Sequence, residues 1–138
     1  MATTWPTVYA RITSLTVAQG YALSQEPFSF DLQPDTHLED VCRLEGTLEG
    51  YDGYLGGSQA EHWICTIWLA RKAKTEPYTA QRALHASIDS LTAGVAAAET
   101  AGDFCVGEEV GAEVQLPGDG LGYVVARVAL PIELERSL

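Results

Sequence analysis

Apolar positions along the chain change period several times, and each change marks a predicted element. Trp5, Val8, Ile12 and Leu15 recur at helical spacing after Thr4-Trp5-Pro6, with Gly20 as a stop signal. The same stretch carries β-branched Thr7, Val8, Ile12, Thr13, Thr16 and Val17, which form helix weakly. Helix and strand therefore both stand as readings, and the spacing favours the helix. From Glu26 the period becomes two: Phe28, Phe30 and Leu32 alternate with Ser29, Asp31 and Gln33, and a loop follows from Pro34 to His37. Cys42, Leu44, Gly46 and Leu48 then alternate with Arg43, Glu45, Thr47 and Glu49, which predicts an antiparallel strand with one polar face. The stretch from Gly50 to Ser58 holds Gly50, Gly53, Gly56 and Gly57 and reads as a long mobile turn. A strand from His62 to Arg71 completes the hairpin.

That strand is apolar on both alternating faces. In the block from Trp63 to Leu134 it is followed by an amphipathic helix from Tyr78 to Ala98, whose stripe is Ala80, Leu84, Ile88, Leu91, Val95 and Ala98. A strand from Phe104 to Leu116, a turn at Pro117-Gly118-Asp119-Gly120 and a last strand from Tyr123 to Glu135 close the order. Such an order predicts a single α+β domain over 1–138: a mostly antiparallel sheet, one long helix packed on it and an N-terminal helix. A helix covers one face of the two-sided strand, and the other face calls for a second subunit. Trp63, Ile64, Ile67 and Trp68 are the candidate subunit contacts.

Length and an apolar fraction of 46% fit one globular domain with its own core. The formal net charge of −11, with only eight Lys and Arg, changes the picture of partners. Tight nucleic-acid binding needs cations at the phosphates, so such binding is not expected, although DNA can pass an acidic wall without being gripped. Cys42, Cys65 and Cys105 are odd in number and lie in or beside apolar runs, as reduced, buried thiols do. Neither a leader nor a membrane span is expected.

No constellation for chemistry accompanies these elements. His37 with Asp35, Glu39, Asp40 and Cys42 looks metal-like, but the paired spacings of zinc sites do not occur. Cys65 sits in the most apolar strand and Cys105 precedes acidic residues, two settings that disfavour a thiolate nucleophile. There is no G-x-S-x-G elbow, and Gly118-Asp119-Gly120-Leu121-Gly122 lacks the Lys-Ser/Thr of a phosphate loop. Glu108 and Glu109 are adjacent and would point to opposite faces of a strand. Catalytic, cofactor and metal sites are all expected to be absent, and the chain is not expected to be an enzyme. One charge feature remains: between Arg82 and Arg127 there is no Lys or Arg, while Asp89, Glu99, Asp103, Glu108, Glu109, Glu113 and Asp119 all occur. It reads either as a solvated acidic surface or as a wall facing a polyanion that must not be gripped.

The chain resembles the tail terminator proteins of long-tailed, siphovirus-type bacteriophages and related prophages. The resemblance lies in Gln25-Glu26-Pro27 leading into Phe28-Ser29-Phe30-Asp31, and in Pro34-Asp35-Thr36 after it. It continues in the strand ending Trp68-Leu69-Ala70-Arg71, the Ala-rich helix holding Ser90-Leu91, and the run from Gly122-Tyr123 through Val128 to Glu135. It covers most of the chain as element order and texture, not as diagnostic motifs. Membership implies a virion protein of the tail and neck, assembled in the host cytoplasm as a homohexameric ring. Such a ring ends tail-tube polymerisation and joins the tail to the head, with the tail-tube protein and head connector protein as partners and DNA passing through the lumen. In that setting Glu99, Asp103, Glu108, Glu109, Glu113 and Asp119 are the candidate lumen wall, and Tyr51, Asp52, Tyr54 and Leu55 the candidate docking loop. Another neck or head–tail connector component is the alternative, and a small enzyme or metal-binding domain a third reading.

Overall fold

The computed structural model describes residues 4–24, 40–53, 58–72, 77–101, 104–107, 110–114 and 123–137. The N-terminal stretch is a helix, α1, Trp5–Val17, entered through an extended Thr4 with Pro6 in its first turn. Two of its three threonines are accommodated by bonding back onto the helix. Thr13 Oγ1 donates to the Tyr9 carbonyl at 2.7 Å and Thr16 Oγ1 to the Ile12 carbonyl at 2.8 Å. Thr16 is thereby buried with its hydroxyl satisfied, beside Val8 and Ile12 on the inward face. Past the helix end, Gly20 turns the chain with φ of 101°, a left-handed conformation that glycine adopts without strain.

Among the described residues six strands form one sheet: β1, Ala22–Leu23; β2, Val41–Gly53; β3, Ser58–Lys72; β4, Phe104–Val106; β5, Gly111–Val114; and β6, Tyr123–Ser137. The order is β1-β2-β3-β6-β4, with β5 also paired to β6. Only β1–β2 is parallel. The second helix, α2, Pro77–Ala101, carries the chain from β3 over to β4, and β6 then enters the sheet between them. The architecture is α+β with a mostly antiparallel sheet.

Two expected boundaries are corrected. Gly50 to Ser58 is not one long turn, because the β2–β3 ladder runs on from Gly50↔His62 to Gly53↔Gln59 past a bulge between Leu48 and Gly50. A bulge lets the strand re-phase around small residues without ending the pairing. Residues 54–57 lie outside the described residues, as does the expected strand at Phe28–Leu32. The strand expected from Phe104 to Leu116 is broken in two. Gly107 N–H donates to the Pro131 carbonyl at 2.8 Å, so Pro131 turns its carbonyl, and with it its nitrogen, toward this edge. A proline has no N–H to offer there, and the edge partner loses a donor. Among the described residues pairing resumes at Gly111↔Ala129.

One face of the sheet packs under both helices. Cys42, Leu44, Cys65, Ile67, Leu69 and the β6 row from Val124 to Leu134 meet Leu84, Leu91 and Val95 of α2 and Val8 and Ile12 of α1. Tyr21 closes this core, its hydroxyl donating to Ser87 Oγ at 2.9 Å, and burial raises the pKa of its phenol. On the opposite face Val41, Trp68, Ala70, Tyr123 and Val125 form a second buried cluster.

Candidate assembly surface

Alternation along β3 divides the four candidate contact residues between two environments. Trp63 and Ile67 are in register with Leu48 and Leu44 and face the helices. Ile67 is 0% exposed, and Trp63 stacks on Trp5 with ring centroids 4.5 Å apart and planes 4° from parallel. Ile64 and Trp68 face the other way. Trp68, at 8% exposed, belongs to the second buried cluster of the same chain. The expectation that all four form one subunit contact is thereby corrected: Ile67 and Trp68 have their cover within the chain, Trp63 is partly covered by Trp5, and only Ile64 is a half-accessible apolar side chain on the helix-free face.

Trp68 is the centre of a row that crosses the sheet. The register places Arg43, Trp68, Arg127 and Glu113 side by side on β2, β3, β6 and β5. The guanidinium carbons of Arg43 and Arg127 lie 5.4 and 5.7 Å from the indole ring. Each arginine is held by a carboxylate, Arg43 by Glu45 at 2.8 Å and Arg127 by Glu113 at 3.0 Å. This row divides the buried cluster from an accessible band of the sheet. In the band lie Thr47, Ile64 and Pro131, then Thr66 and Ala129, with His62 and Glu133 beyond them at 4.0 Å. Glu49, His62, Ile64, Cys105, Pro131 and Glu133 contribute to a depression of about 570 Å³ there. Neither arginine was singled out by sequence reading, since a row across four strands has no trace in linear spacing.

The expected acidic wall is placed at one residue. Glu113 is exposed on β5 and ion-paired with Arg127. Glu99 lies in α2, and Asp103, Glu108, Glu109 and Asp119 are outside the described residues. In the candidate docking loop, Tyr51 and Asp52 are corrected to strand residues of β2, paired with Glu61 and Ala60, because the ladder outlasts the glycines. Tyr54 and Leu55 are outside the described residues. Among the described residues no three His, Cys, Asp or Glu side chains gather into a metal-binding group, and no helix is long and apolar enough to cross a membrane.

The thiols differ sharply. Burial pushes Cys42 up to about 11 and Cys65 up to about 12, whereas Cys105 is exposed. At pH 8 a maleimide or iodoacetamide should label Cys105 in the native protein, and Cys42 and Cys65 only after unfolding; prompt labelling of all three would contradict this packing. Unfolded thiols ionise near 9, so the protonated form of both buried thiols is favoured by folding. That contribution is complete below pH 9 and is lost as the pH climbs toward 12.

The described residues define an α+β sheet protein with two helices on one face and an accessible apolar and polar band on part of the other. The chain matches no model of a known protein family, and no curated protein matches it.

Proposed function

We propose that the chain is a structural ring subunit that ends a phage tail tube and joins the tail to the head. The observation that carries the reading is the accessible band of Thr47, Ile64, Thr66, Ala129 and Pro131, on the face away from the helices. A closed ring forms through two different patches of one subunit, and this band is suited to be one of them. The net charge of −11 supports a role in which DNA passes without being held, since few cations are present to displace phosphate counterions. The exposed Tyr51 at the far end of the hairpin supports contact with a further protein.

Native mass spectrometry of the purified chain should report a hexamer, six copies of 14.8 kDa or about 89 kDa. Loss of the protein from an infecting phage should leave filled heads apart from overlong tubes. Tails of normal length that still attach would exclude the role. Capture by the head connector protein and not by the tail-tube protein would instead assign the chain to another position in the neck.

A further inference from the structure

The outer edge of β2 is an exposed stretch of the described sheet. β1 covers β2 only at Val41 and Cys42, and residues 45–49 are all exposed. The phase of this edge follows from three hydrogen bonds. Ala22 N–H donates to the Asp40 carbonyl, Ser24 N–H to the Cys42 carbonyl and Tyr9 Oη–H to the Leu44 carbonyl, at 2.9, 2.8 and 3.2 Å. Asp40, Cys42 and Leu44 thus turn their carbonyls away from β3, and antiparallel alternation puts Gly46 and Leu48 in the same phase. Among the described residues no hydrogen bond reaches the outward N–H or C=O of Gly46 or Leu48.

The two sides of this edge differ in chemistry. Toward the helices lie Trp5, Tyr9, Leu48 and Tyr51; Leu48 and Tyr51 are 37% and 49% exposed. On the other side lie Glu45 and Thr47, with Glu49 at the bulge beside the His62 depression. Arg43 is the one cation of the strand, against Glu45, Glu49 and Asp52, and it is already paired with Glu45.

We infer that the β2 edge from Glu45 to Tyr51 takes an extended segment of a basic partner protein as an added strand. The segment alternates Lys or Arg with apolar residues. Its backbone bonds Gly46 and Leu48, its apolar side chains lie against Trp5, Leu48 and Tyr51, and its cations lie against Glu49 and share the exposed Glu45 with Arg43. Carboxylates and a bulge on an edge repel unsuited strands, and they select against a second copy here. Antiparallel pairing of β2 with β2 about Thr47 would oppose Glu45 of one copy and Glu49 of the other, like charges facing directly. The inference does not rest on the ring reading, because a monomer with this edge would bind the same segment.

The test uses a fluorescent peptide of alternating lysine and valine, about eight residues to match a typical strand length, titrated with the full chain and followed by anisotropy. The wild-type chain should bind it, and Leu48→Pro should lose at least about tenfold in affinity, because proline removes an outward donor and leaves the β2–β3 ladder donors in place. Glu45→Lys with Glu49→Lys should bind an alternating glutamate–valine peptide in preference. Independently of any variant, the lysine–valine peptide N-methylated throughout should lose binding to the wild-type chain. Absence of binding by the wild-type chain overturns the inference. So does equal binding of the methylated peptide, or of a peptide with the same residues grouped by type, since either would reveal diffuse attraction to an acidic protein. A concentration-dependent dimer abolished by Leu48→Pro would assign the edge to a second copy and overturn the basic partner.

Discussion

Ile67→Ala should lower the unfolding free energy by about 2–5 kcal/mol, the usual cost of deleting buried aliphatic groups that leave a cavity. Ile67 is fully buried between Leu44 on β2 and Val128 on β6, under the helix layer. Small domains are typically stable by only about 5–15 kcal/mol, so the variant should show a much lower urea midpoint with an unchanged slope. Ile64→Ala, three residues away on the same strand, is expected to behave differently. Ile64 is half-accessible on the helix-free face, and its truncation should cost about 1 kcal/mol in the isolated chain. Under the proposed ring, its effect should appear in assembly, as a shift of native mass toward smaller species. Equal destabilisation by the two substitutions would mean that the strand's faces are not distinguished as described.

Gly46→Val is expected to destabilise by about 1–3 kcal/mol, the typical cost of overpacking, and to disturb the tryptophans directly. A Cβ at Gly46 would collide with the Trp5 indole, on the side chain that stacks over Trp63. The indole would have to leave its stack, or α1 would have to lift from β2. Near-UV circular dichroism should therefore lose tryptophan signal along with the fall in thermal midpoint. The cost should shrink when Trp5 is shortened to Leu in the same chain, because residues in contact do not contribute additively. An unchanged near-UV spectrum in Gly46→Val would refute the close approach.

The helix from Tyr78 to Ala98 was legible because its stripe repeats through about five turns, and the last strand because its apolar set alternates without a break. The hairpin end was misread for a physical reason. Glycine lowers strand propensity locally, but each of Gly50 and Gly53 has a partner on β3, and pairing across strands outweighs a weak local preference. The break between β4 and β5 was hidden because its cause, Pro131, lies in a different strand. Of the candidate contact residues, identity as large apolar side chains was readable, and their cover was not. Trp68 is shielded by Arg43 and Arg127, drawn from strands far apart in the chain.

By itself the sequence determined the α+β class, the two helices, the paired central strands and the acidic balance, since these follow from local period and composition. Only the tertiary structure decided which face of β3 is buried by its own chain, and which edge of the described sheet is exposed. Both depend on register and strand order, which bring together side chains such as Arg43, Trp68, Arg127 and Glu113 that no window of the sequence contains.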